Sequence, residues 1–172
     1  PIDGRTLFEG AVEGMVGCLD ANSTYFTAKD YEAFLDGIKQ QFAGVGMEVI
    51  LDTQTKQLTV VSPLFGSPAF EAGIRSGDRI TAIDGRSTQG VALEDTVALM
   101  RGAPGTPVVL GVLHEGDQKP TDVTIVRAII EVDSVLGDTR NPDGAWNYFL
   151  AGYDKIGYLR VNSFGDKTSR EM

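Results

Sequence analysis

The sequence predicts an α+β fold in which a β-rich module, from about Phe42 to Ile130, follows a short helical arm. Three observations predict it. Apolar residues recur at helical spacing ahead of Phe42. Beyond it they fall into short runs rich in Val, Ile and Leu, separated by turn residues. Finally, 21 glycines in 172 residues predict many tight turns between short elements.

Each element can be read in order. Thr6 to Leu19 places Leu7, Val12, Met15, Val16 and Leu19 on one helical stripe, weakened by Gly10, Gly14 and Gly17. Asp20, Asn22 and Ser23 make a turn. Thr27 can N-cap a second helix, with Asp30 as a box-like partner three residues on. Tyr31, Phe34, Leu35, Ile38 and Phe42 form its apolar stripe. These segments, residues 1–41, make the helical arm.

Val45 to Leu51 and Leu58 to Val61 read as short strands around the polar turn Asp52 to Lys56. Ser62, Pro63, Gly66 and Pro68 form a loop, and Pro68 suits the first turn of a short helix over Ala69 to Ala72, ended by Gly73. Arg79 to Ile83 is a strand closed by a tight Asp84-Gly85 turn. Leu93 to Arg101 is a helix stopped by Gly102 and Pro104. Pro107 to Leu113 and Thr121 to Ile130 are two further strands around Glu115 to Pro120. After Ile130 comes a loop rich in Gly, Asn and Pro, from Gly137 to Gly144. Ile156 to Val161 is a last strand, expected to have no partner in this chain.

Composition narrows the function classes. Hydrophobic residues make up 42%, enough for a real core. Fifteen basic against 24 acidic residues, net −9, argue against a phosphate track and so against nucleic acid. The single cysteine, Cys18, excludes an intramolecular disulfide and a thiolate metal cluster. Between Val16 and Leu19 it reads as a buried small hydrophobe. No apolar run approaches the roughly 20 residues that cross a bilayer, and no signal peptide is visible. The chain starts at Pro1 without Met and stops at Met172 within a polar stretch, as expected of a piece of a longer protein.

Three stretches then align with a known pattern. Phe42-Ala43-Gly44-Val45-Gly46-Met47 enters the first strand. Ser67-Pro68-Ala69-Phe70-Glu71-Ala72-Gly73-Ile74-Arg75-Ser76-Gly77-Asp78-Arg79-Ile80 runs into Ile83-Asp84-Gly85. Val97-Ala98-Leu99-Met100-Arg101-Gly102 leads through Gly105-Thr106-Pro107-Val108. Together they resemble a PDZ domain in its circularly shifted bacterial form. The resemblance implies a PDZ-like small β-sandwich or partly open barrel of five to six strands, capped by two helices, over residues 42–130. Gly14-Met15-Val16, Leu19-Asp20 and Ser23-Thr24-Tyr25-Phe26 resemble the segment ahead of the PDZ domain in C-terminal processing serine peptidases. Ile156-Gly157-Tyr158-Leu159-Arg160-Val161-Asn162-Ser163-Phe164 resembles the strand that opens their protease core, so residues 131–172 read as a linker and that strand.

Such peptidases cut proteins near an apolar carboxy terminus with a Ser nucleophile and a Lys base. Their PDZ domain binds the substrate's last residues and in some members gates the protease. The resemblance implies that the Ser and Lys motifs lie downstream of Met172, so no catalytic residue is assigned and this chain alone is expected to be inactive. It also implies a periplasmic or other extracytoplasmic location. The rival readings are a stand-alone PDZ scaffold without a protease, and a homo-oligomer formed through the N-terminal helices. No cofactor or metal is expected.

The expected partner is the C-terminal end of a protein substrate. A terminal carboxylate needs several converging donors, and successive N–H groups of a Gly-containing turn supply them. Phe42, Ala43, Gly44, Val45 and Gly46 are candidates for that turn, and an ordinary strand-initiating turn is the plainer reading. Gly44-Val45-Gly46 lacks the third Gly and following helix of a nucleotide loop. The peptide would add as a strand beside Gly46 to Ile50. Met47 and Val49 alternate with Glu48 and Ile50, and either pair can meet it; Met47 and Glu48 are carried as binding candidates. Leu93, Val97 and Met100 share one helix face and form the facing wall, with Thr96 and Leu99 turned toward the core. The alternative makes all three plain core residues. Leu93 stands where eukaryotic relatives place a selective His, which implies an apolar preference there too.

Other chemistry is set aside. His114, the only histidine, reads as a solvated turn residue with no nucleophile arrangement around it. Asp52, Asp78, Asp84, Asp133 and Asp138 read as turn or strand-end carboxylates, Asp78 with a structural hydrogen bond. Arg101 either complements its helix dipole or reaches the ligand carboxylate.

Overall fold

The structure is a computed structural model describing residues 3–53 and 55–172, with nothing said of the side chains of residues 29, 32 and 33. Pro1, Ile2 and Gln54, the last within the expected 52–56 turn, lie outside the described residues.

The arm comprises α1 (Gly4–Gly17) and α2 (Ala28–Lys39). Asp3 caps α1 by accepting from the Arg5 N–H, and Thr27 caps α2 by accepting from the Asp30 N–H. No residue of α1 is buried, and Leu7, Phe8, Met15 and Leu19 are all more than 60% exposed. Cys18, expected to be buried, is exposed as well, at the end of a helix whose apolar residues face solvent. Helix α2 ends at Gln40, whose left-handed φ of 54° turns the chain directly into β1 (Gln41–Gly44).

The module is built on an open sheet. Its path is β2 (Met47–Leu51), β3 (Leu58–Pro63), β4 (Arg79–Ile83), β6 (Pro107–Leu113) and β7 (Thr121–Val126), all antiparallel. The short β5 (Arg86–Ser87) pairs with β4 across the Asp84-Gly85 turn. Both turn residues have positive φ, 48° and 75°, as a two-residue hairpin turn requires. The helices are α3 (Pro68–Glu71) and α4 (Leu93–Met100). The core joins Leu58, Val60, Ala69, Ile74, Ile80, Ile83, Met100, Val108, Leu110, Val112 and Ile125.

Two expected strands change their bounds. The expected 45–51 strand is shortened to β2, because Val45 and Gly46 form a bend between it and β1. The expected 121–130 strand becomes β7 and β8 (Ala128–Glu131), split at Arg127. In both cases the chain leaves one sheet for another: β1 pairs with β8, Phe42 opposite Ile130, away from the main sheet. The segment after Glu131 also folds back rather than lying unpaired. Strand β9 (Val135–Leu136) takes β12 (Arg160–Val161) as its partner, which corrects the expectation of a partnerless last strand, and only two of its six residues are strand. Gly157 instead bridges to Phe149. The loop expected from Gly137 to Gly144 contains part of a small hairpin, β10 (Thr139–Arg140) and β11 (Trp146–Asn147).

A buried polar knot ties the ends together. Gln40 donates to the Thr168 Oγ1 at 3.2 Å and accepts from the Lys167 N–H, just ahead of α5 (Thr168–Glu171). The Glu171 carboxylate accepts from the Ser134 hydroxyl and from the Ser134 and Val135 N–H groups. Such satisfied networks hold one arrangement because leaving any buried member unpaired is costly.

His114 also departs from its solvated reading. Its Nδ1 lies 2.8 Å from the Asp78 carboxylate, which is itself 2% exposed and accepts from the Arg75 N–H at 2.7 Å. The pair closes the 75–78 turn into β4.

Candidate functional site

The site forms where β1 stops and β2 begins. The Val45 carbonyl accepts from the Ala69 N–H at 2.8 Å. The Gly46 carbonyl accepts from the Leu64 N–H at 2.9 Å and from the Ser67 hydroxyl at 2.6 Å. Both carbonyls therefore face the β3–α3 turn. Every peptide bond described is trans, so the N–H of Gly46 points opposite to the Val45 carbonyl, and the N–H of Met47 opposite to that of Gly46. Two successive donors thus face away from α3.

Gly46 is required here for two reasons. Its φ is +80°, and a Cβ would stand 2.3 Å from the Ser67 Cβ. Ser67 is buried, and the same hydroxyl accepts from the Phe70 N–H to cap α3. Pro68 follows at the first helical position. One serine therefore fixes both the helix start and the bend.

On the donor side lies a narrow cavity of about 100 Å³, lined by Phe42, Gly44, Val45, Gly46, Met47, Val49, Val97, Met100 and Arg101. Strand β2 is the outer strand of its sheet, so its far edge is available to another strand. Helix α4 supplies the opposite wall through Val97 and Met100. Past Phe42 and Arg101 a more open cavity of about 380 Å³ continues toward Asp36, Gln40, Val132 and Ser163. The Arg101 guanidinium lies 5.5 Å from the Phe42 ring centre, a cation–π contact at the junction of the two cavities.

Most of the candidates converge. Phe42, Gly44, Val45, Gly46, Met47, Val97 and Met100 line the cavity. Ala43, Glu48 and Leu93 do not: Ala43 alternates to the other side of β1, Glu48 is exposed, and Leu93 packs on the core. The expected 42–46 turn is in fact strand as far as Gly44, with the bend confined to Val45 and Gly46. Between the two alternating pairs on β2, Met47 and Val49 face the cavity. Thr96 is buried as expected, whereas Leu99, expected toward the core, is 36% exposed. Ser67 escaped the sequence reading as a site residue, although the Ser67-Pro68 pair carries a helix-start signature.

An edge strand beside an apolar helix, with two donors at its head, defines a PDZ domain, and the PDZ family profile matches residues 59–113. A carboxy-terminal-processing protease from Bartonella bacilliformis is 37% identical over 99% of this chain and 36% of its own length. The carboxy-terminal processing protease CtpA of Bacillus subtilis is 32% identical over 99% of this chain and 34% of its own. A solved photosystem II D1 C-terminal processing protease matches with a TM-score of 0.57 at 24% identity, covering 99% of this chain and 45% of that one, which shows a shared fold. Along almost its entire length, the chain is homologous to carboxy-terminal processing proteases. It spans about a third of the length of the curated relatives it matches.

Proposed function

We propose that this chain is the substrate-recognition portion of a C-terminal processing serine peptidase, and that it binds the apolar C-terminal end of a protein substrate. The observation that carries the reading is the bend at Val45 and Gly46, whose carbonyls are held by the β3–α3 turn while two N–H groups face the cavity. A peptide carboxylate placed there accepts from Gly46 and Met47. Its last side chain enters the cavity between Phe42, Val97 and Met100, and its backbone extends β2. Arg101 stands at the mouth as the nearby cation. The cavity is small and apolar, which favours a compact aliphatic last residue over a charged one.

The proposed division is a helical segment over 1–41, the PDZ domain over 42–130, and a linker with the first protease-core strand over 131–172. Catalysis then belongs to a Ser-Lys pair elsewhere in the parent protein, in an extracytoplasmic compartment. The exposed apolar stripe of α1 is the surface on which a homo-oligomer would form.

The test is a titration of the whole 172-residue chain with free-carboxylate peptides and their C-terminal amides. The expected affinity lies on the order of micromolar to millimolar, because a short added strand buries little area. Binding should move the backbone N–H resonances of Gly46 and Met47. Equal binding of acids and amides would overturn the reading.

A further inference from the structure

The β10–β11 hairpin, after the PDZ domain, reaches back to the turn that supports the peptide-end bend. The Arg140 guanidinium lies 3.9 Å from the Trp146 ring centre and 5.3 Å from the Phe65 ring centre. Phe65 in turn packs on Phe70 of α3, with centroids 5.0 Å apart. The guanidinium is oriented by two acceptors, the Gly144 carbonyl and the Asp133 carboxylate, and the same carboxylate accepts from the Trp146 indole N–H at 2.8 Å. The fit against Phe65 is close: a Cβ on Gly144 would stand 2.1 Å from that ring, and Gly144 has φ +88°.

Phe65 sits between Leu64 and Ser67, the two residues that donate to the Gly46 carbonyl. The chain of contact therefore runs from Arg140 through one ring to the backbone that sets the Gly46 and Met47 donors. We propose that Arg140 is a positioning residue for the peptide-end bend, acting through Phe65 and the 64–67 turn. The proposal rests on the reading of that bend as the carboxylate site. Its physical content is a linkage: if Arg140 biases the bend toward its binding geometry, a bound peptide must bias the hairpin equally.

Two consequences follow that a merely structural arginine would not produce. Arg140→Met keeps the side-chain length and removes the charge. It should weaken free-carboxylate peptides by roughly threefold while leaving amides unaffected. It should also speed hydrogen exchange of the Leu64 N–H in the unliganded chain. Phe65→Leu, at a half-exposed position where folding is not at risk, should do the same. The double variant should be no worse than the weaker-binding single one, because both interrupt one path. In the other direction, Trp146 is the only tryptophan, so a saturating peptide should shift its emission, and Phe65→Leu should abolish that shift. Unchanged affinity and unchanged Leu64 exchange in both variants would overturn the proposal, as would a bound peptide that leaves Trp146 emission unmoved. If the unaltered chain binds no peptide at all, the carboxylate reading fails by itself. Faster Leu64 exchange in Arg140→Met would then still support the link between hairpin and bend, and unchanged exchange would overturn it.

Discussion

Gly46→Ala tests the bend at its tightest point. The added methyl meets Ser67 at 2.3 Å from its Cβ and 2.8 Å from its Oγ, and Ile130 Cδ1 at 3.1 Å. The left-handed φ of +80° costs an L-residue about 1–2 kcal/mol before any contact is counted. Ser67 must then move, which loosens the α3 cap and the bond to the Gly46 carbonyl, each typically worth about 1 kcal/mol. The expected loss is about 3–4 kcal/mol, or roughly 6–16 °C in Tm for a chain of this size. Gly66→Ala is the matched control. Gly66 also has a positive φ, +70°, yet nothing lies within 4 Å of its Cβ direction. It should cost only the backbone part, about 1–2 kcal/mol. The assay is urea unfolding of both variants beside the unaltered chain, followed by peptide titration of those that fold. If Gly46→Ala is no less stable than Gly66→Ala, the clamp between Ser67 and the bend is not what holds the site.

Two further outcomes are expected. Val97→Ala removes two methyl groups from the α4 wall and should lower affinity for an apolar-ended peptide by roughly three- to tenfold, read by calorimetric titration. Its effect should vanish for a peptide ending in Gly. Arg127→Met removes a guanidinium that donates to the Leu99, Met100 and Pro107 carbonyls and to the Thr106 hydroxyl. Because most of these bonds are solvent-exposed, the expected loss is about 1–3 kcal/mol in thermal or urea unfolding, with faster amide exchange at the C-terminal end of α4.

Local signals were strong where chemistry is local. Thr27, Pro68 and the Asp84-Gly85 turn each act within a few residues, and each appears in the structure where the sequence places it. Helical spacing put Val97 and Met100 on one face, and both reach the cavity. The same periodicity could not separate Leu93 from them: all three pack on the core, and only Val97 and Met100 also line the cavity. Periodicity also misled at Cys18 and Leu99, because burial depends on what lies opposite a stripe. His114 looked solvated because its partner, Asp78, lies 36 residues away in the turn that leads into β4.

The residues themselves determined that this chain is α+β, that a Gly-containing turn falls within 42–46, and that an apolar helix face exists to wall a groove. Those properties follow from dihedral limits and side-chain periods, which each residue carries wherever it stands. Only the tertiary structure decided which way the Gly46 and Met47 donors point, because that depends on carbonyls held by Leu64, Ser67 and Ala69. It alone decided that the chain after Glu131 returns to pair with itself and to set Arg140 against Phe65. Contacts between residues 75 apart, as Phe65 and Arg140 are, obey packing and stacking geometry, and neither residue's type announces its distant partner.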